Sequence, residues 1–158
     1  MKDHNSNSGV DDRARADWMS VFARSSLLDI EEAWTGCNDE RVIQWLRAPA
    51  FGLVMVRARS GGSGAAFNLG EMTITHCVLK LSNGCIGTGY VQGRNRRHAK
   101  HAAVLDALLQ SEEGRTDLLS SVVEPLRSRL ATRRYEAGRK AESTRVEFFT
   151  LVRGGNPT

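Results

Sequence analysis

Between Gly89 and Leu108 the sequence GYVQGRNRRHAKHAAVLDAL gathers residue types suited to holding an anion. Arg94, Arg96, Arg97 and His98 fall at the start of an alanine- and leucine-rich stretch whose pattern predicts a helix over residues 95–110. A helix start already carries partial positive charge and unpaired N–H groups. Guanidinium groups beside those N–H groups can grip the oxygens of a phosphate or a carboxylate. The same arginines also fit a solvated surface, at a cost of about a few tenths of a kcal/mol each against the dipole. His98 and His101 share the predicted helix side of Leu105, Leu108 and Leu109. That placement suits histidines bonded to backbone at the rim of a core; a metal would need a third ligand that no recognisable spacing supplies.

Other chemistry is thinner. Ser60-Gly61-Gly62-Ser63-Gly64 offers backbone N–H groups to a phosphate or serves as a flexible connection, but Ala65-Ala66-Phe67 follows where a P-loop needs Lys and Ser/Thr. No Gly-x-Ser-x-Gly elbow is present, and Glu71 and Asp106 have no evident partner. No catalytic set and no metal site is assigned. Cys37, Cys77 and Cys85 are too few and too irregular for a disulfide framework, which fits a reducing cytoplasm. A formal charge of +4 in 158 residues favours an anionic partner without implying nucleic acid.

The elements that must position these residues follow from caps and periodicity. Residues 1–10 read as a disordered tail without the apolar core of a signal peptide, and no stretch has the ~20 apolar residues of a membrane span. Residues 11–158 then form a single α+β domain. Three short helices are expected first: from Asp11 or Asp12 to Arg24, from Ser26 to Gly36, and from Asn38 or Asp39 to Leu46, stopped by Pro49. Strands are expected over Leu53–Arg59 and Met72–Leu81. Asn83-Gly84 predicts a two-residue type I′ hairpin returning as Cys85–Gln92, pairing Lys80 with Gly87 and Val78 with Gly89. Gly87 and Gly89 would leave one face bare for a helix, a ligand or a partner's backbone. Beyond the arginine-led helix come C-terminal helical segments interrupted at Pro125. Residues 145–153 suit a fourth strand, with a helical extension as the alternative. The sheet is therefore expected to be small, largely antiparallel and of about four strands.

Several segments resemble the PhnG family. They are Trp18-Met19-Ser20-Val21; Gly52-Leu53-Val54 leading to Arg57-Ala58-Arg59-x-Gly61-Gly62-x-Gly64; and Phe67-Asn68-Leu69-Gly70-Glu71. Gly89-Tyr90-Val91-x-Gly93-Arg94 with His98-Ala99, and Asp106-Ala107-Leu108-Leu109-Gln110, continue the match. Arg145-Val146-x-Phe148-Phe149-Thr150-x-Val152-Arg153-Gly154 closes it. His76 stands where the family pattern has arginine. The resemblance implies an accessory subunit of the bacterial carbon–phosphorus lyase complex, without catalysis of its own. Its partners would be the I, H and J subunits, with the L subunit for activity. The complex would use ATP as substrate, and this chain would hold no cofactor. The step implied is formation of α-D-ribose 1-methylphosphonate 5-triphosphate from ATP and methylphosphonate. Arg94, Arg96, Arg97 and His98 become candidates for the anion, and Trp18, Gly87, Gly89, Phe148 and Phe149 for the partner interface. The rival reading is a winged-helix-like nucleic-acid binder, with the helix ending at Leu46 as its recognition helix.

Overall fold

A computed structural model describes residues 11–35, 42–59 and 63–143. The expected tail, the residues just before Val42, the fourth strand at 145–153, and Phe148 and Phe149 lie outside the described residues. The architecture is α+β: N-terminal helices, an antiparallel sheet and C-terminal helices.

Helix α1 spans Asp12–Arg24, and Asp11 caps it by accepting from the Arg13 N–H at 3.1 Å. Helix α2 spans Leu27–Ala33. Ser26 and Asp29 close a reciprocal capping box at its start. Burial pushes the Asp29 carboxyl up, but Arg133 and Ser26 outweigh that and hold it at about 2. Strand β1 then runs Val42–Arg59, β2 Ala66–Leu81 and β3 Ile86–Gln92, in the order β1-β2-β3.

The long β1 corrects the expectation of a third helix: Val42 to Leu46 is strand, and Pro49 lies within it. Val42 pairs with Leu81 and Ala50 with His76, so eight steps along β1 match five along β2. Each slipped position breaks the two-residue alternation and makes the apolar spacing imitate a helix. Pro49 is tolerated because β1 lies at the edge of the sheet formed by the described residues and the register slips between Arg47 and Ala50. The recognition helix of a winged-helix reader is therefore absent where it was expected. Three strands stand among the described residues, and β2 starts at Ala66, ahead of the expected Met72.

The β2–β3 turn also departs from expectation. Gly84 donates its N–H to Leu81 O at 3.0 Å, and Leu81 donates to Cys85 O at 3.0 Å. Only Gly84 in this turn has positive φ, at 85°, and Asn83 Oδ1 accepts from the Cys85 N–H. A type I′ turn needs two such residues; one fits a three-residue loop ending in a glycine bulge. The register therefore shifts by one, pairing Cys77 with Gly89 and Leu79 with Gly87. That shift puts both glycines on the face with buried Cys77 and Leu79.

Helix α3, Arg96–Gln110, covers that face. A Cβ added at Gly87 would stand 1.9 Å from Ala103 O, and one at Gly89 would stand 2.0 Å from Ala99 O. Ala99, Ala103 and Ala107 form an i, i+4 row of the smallest side chains along the helix, so two backbones approach where neither carries bulk. The bare stripe is thus filled by the chain's own helix. After α3 come α4, Arg115–Leu118, a wide π turn over Leu119–Val123, and α5, Glu124–Ser143. The π turn lies directly before Pro125. Proline donates no N–H and crowds the carbonyl four residues back, so the widened turn lets the helix run on where a break was expected. The core gathers Trp18, Phe22, Ile30, Leu79, Leu105, Leu109, Val122 and Leu126 between helices and sheet.

Candidate functional site

The arginine-bearing start of α3 is fastened to β2. Gly93, with φ of 86°, donates its N–H to Thr73 O at 2.9 Å. The Thr75 hydroxyl donates to Gly93 O and accepts from the Asn95 N–H at 3.1 Å. Asn95 then caps the helix, its Oδ1 accepting from the His98 N–H at 3.0 Å.

The structure separates the four candidate anion ligands. Arg97 is paired with Glu31 of α2 at 2.7 Å. Arg96 lies over the Phe51 ring, its guanidinium carbon 4.9 Å from the centroid. His98 is buried and donates from Nε2 to Phe22 O at 2.9 Å. Arg94 is exposed in the turn between β3 and α3, with no ion pair among the described residues. One negative group that these arginines meet is therefore internal: Glu31, 66 residues away from Arg97 in sequence. Arg94 and Arg96 still face solvent.

Burial holds His98 below the usual histidine range, opposed by its bond to Phe22. Burial likewise lowers His101; Glu31 raises it, while Arg97, Lys100 and His98 depress it further. His101 Nε2 lies 3.8 Å from Glu31 and its ring meets Trp34 edge-on at 6.4 Å, while Nδ1 is buried without a partner. Both histidines are thus favoured neutral in the folded chain, and unfolding exposes groups that protonate near 6.5. Stability contributed by their neutrality is complete above about pH 6.5 and is lost as pH falls toward their lowered folded values. Thermal melts at pH 8, 7, 6 and 5 should show a flat upper limb and a decline below 7. His101→Leu should make that decline shallower. A wild-type profile flat down to pH 5 would refute the assignment.

Asp106, which had no visible partner in the sequence, is fully buried at the junction of α1, α3 and β3. Arg15 donates to both its oxygens, at 3.1 and 2.7 Å. Trp18 Nε1 donates to it at 3.0 Å, and the Thr88 N–H at 2.9 Å. The Asp106 hydrogen bond raises the Arg15 pKa above its ordinary value, against burial. Trp18, Gly87 and Gly89, expected at a partner contact, are placed inside this chain: Trp18 is 3% exposed and both glycines face α3. Cys77 is also buried there, and burial pushes its thiol up to about 11, against a bond from Gly89.

Large apolar side chains are left exposed elsewhere, Leu69, Ile86 and Tyr90 among them. On β1, Phe51, Leu53 and Met55 are 46%, 62% and 52% exposed. They sit opposite Thr75, Thr73 and Glu71, on the sheet face that α3 covers farther along. Sequence reasoning missed this strip because β1 alternates exposed and half-buried residues, all of them apolar or small from Phe51 to Val56. Period-two polarity was therefore not there to read. Among the described residues, no group of three His, Cys, Asp or Glu is placed to hold a metal ion.

A small sheet backed by one close-packed helix, with cations and apolar side chains exposed beside the helix start, defines an α+β domain. The chain belongs to the PhnG family, since the family model for the phosphonate metabolism protein PhnG matches residues 13–154. It is 41% identical over 144 residues to the α-D-ribose 1-methylphosphonate 5-triphosphate synthase subunit PhnG of Rhizobium meliloti strain 1021, covering 89% of each chain. That membership places it in phosphonate metabolism.

Proposed function

We propose that this chain is an accessory subunit of an α-D-ribose 1-methylphosphonate 5-triphosphate synthase within a carbon–phosphorus lyase complex. The observation that carries the reading is its near full-length similarity to a protein named as that subunit. Its partners in this reading are the I, H and J subunits, with the L subunit for activity. ATP and methylphosphonate are substrates of the assembly, the phosphonate displacing adenine at the ribose anomeric carbon. We place the assembly in the cytoplasm. No helix among the described residues is long and apolar enough to cross a membrane.

Within that role, the exposed start of α3 is the part of this chain suited to a multiply charged substrate. Arg94 is available to a triphosphate or phosphonate oxygen, with Arg96 beside it and the capped helix end behind. Arg97 and His98 hold this end against α2 and α1. In a strain lacking the native copy, the wild-type chain should restore growth on methylphosphonate as sole phosphorus source. Arg94→Ala should impair that growth while the tagged chain still retains its partner subunits. Unimpaired growth would remove Arg94 from the site, and loss of the partners would make it an interface residue. A wild-type chain that neither restores growth nor retains partners would overturn the accessory-subunit reading.

A further inference from the structure

The apolar strip on β1 has a defined frame. Phe51, Leu53 and Met55 occupy alternate positions on one face, so they project in a row about 13 Å long at ~3.3 Å per residue. Arg57 and Arg59 continue the same alternation beyond Met55, and both are exposed. At the other end, Arg96 lies over Phe51. The turn carrying Arg94 is bonded to Thr73, the residue opposite Leu53. Glu71, opposite Met55, is the carboxylate on the paired stretch of β2. Three large apolar side chains are thus bracketed by cations at both ends.

Monomeric surfaces seldom leave contiguous large apolar side chains in water on a sheet face that a helix covers farther along. Isolated exposed residues need no partner, but three in register on one strand form a continuous surface. The cations narrow the choice of occupant. A second cationic surface, such as the same strip of another copy, would bring Arg57, Arg59 and Arg96 against their like. Nucleic acid would pair with the arginines and stack on Phe51 but leave Leu53 and Met55 uncovered. The complementary occupant is a peptide segment with apolar side chains in its middle and carboxylates toward its ends.

We infer that the Phe51-Leu53-Met55 strip is the docking face for an acidic, amphipathic segment of a partner subunit, with Arg57, Arg59 and Arg96 pairing its carboxylates. This inference rests on the accessory-subunit reading and adds to it the surface and the chemistry of the contact. It separates two tasks on one side of the molecule: the strip holds the partner, and Arg94 beside it is left for a small anion.

The test uses the tagged full-length chain co-expressed with the other subunits, scoring partner retained at about 0.15 M and 0.5 M salt. Leu53→Asp should lower retention at least about tenfold, a loss of the size a central interface residue gives. The double variant Arg57→Glu/Arg59→Glu should weaken retention most at low salt. Ile86→Asp, on the opposite sheet face, should retain partner as the wild type does. Thermal melts establish that each variant folds, and Met55→Asp replaces Leu53→Asp if that chain does not. Wild-type retention by the folded strip variants overturns the inference while leaving the accessory role intact. Equal loss with Ile86→Asp overturns it too, as does retention abolished by nuclease or a self-association of the isolated chain that Leu53→Asp removes. Absence of any partner on the wild-type chain is the different result that fails the accessory reading itself.

Discussion

Asp106→Ala should cost about 3–5 kcal/mol of folding stability, among the largest losses from a single side-chain truncation in this fold. The carboxylate is fully buried and joins four donors from three elements: Arg15 and Trp18 of α1, the Thr88 N–H of β3 and Gln110 of α3. Removing it leaves the Trp18 indole N–H and the Thr88 N–H facing a void, each at about 1–3 kcal/mol. Arg15 is one-third exposed and can turn partly to water, so its contribution is discounted. Arg15→Ala keeps the Trp18, Thr88 and Gln110 donors but leaves the fully buried carboxylate without its counter-charge, so it should cost about as much as Asp106→Ala. Asp106→Asn, which keeps an acceptor and removes the charge, should cost less than either. Urea unfolding of the three variants measures the order. A far smaller loss for Arg15→Ala than for Asp106→Ala would mean that the buried N–H donors, and not the ion pair, carry the effect.

Gly89→Ala should be comparably severe although it adds one methyl group. The new Cβ would lie 2.0 Å from Ala99 O and 3.0 Å from Cys77 Sγ, and the obstructing atom is helix backbone. No rotamer change relieves such a contact, so α3 must move by about 1 Å or the strand must buckle. We expect a loss of about 3 kcal/mol, at the upper end of overpacking costs. For a chain of this size that lowers the melting temperature by about 6–12 °C. Gly87→Ala meets Ala103 O at 1.9 Å and should behave alike. Gly70→Ala, whose Cβ meets nothing within 4 Å, supplies the contrast and should melt close to the wild type. A Gly89→Ala chain as stable as Gly70→Ala would show that α3 packs farther from β3 in solution.

Much of this architecture was legible where local chemistry decides it. Ser26 and Asn95 are capping residues whose side chains bond the first turn of their own helices, so both starts could be read directly. The apolar side of α3 followed from periodicity. The first half of β1 could not be read in the same way. Its register slips are settled by pairing with β2, and they spread Val42, Trp45 and Leu46 at spacings that a helix would also produce. Gly87 and Gly89 announced a close approach without naming the approaching group. The answer lay in the alanine row Ala99, Ala103 and Ala107, a complementary signal visible only once the two elements are set side by side. The candidate site divides similarly. Its arginines stood out by type and crowding, but Glu31 and Phe51, which engage Arg97 and Arg96, sit on other elements far away in sequence. Asp106 was equally opaque, since Arg15 lies 91 residues before it.

The burial of Cys77 has a practical consequence for following this surface experimentally. Its thiol lies behind α3 and is pushed up to about 11, so at neutral pH it stays protonated and out of reach of electrophiles. Cys85 is only half-buried, at the far end of β3 from the arginine-bearing turn. Of these two thiols, a maleimide dye will mark Cys85. It would then report from the hairpin end of the sheet without touching Phe51, Leu53 or Met55.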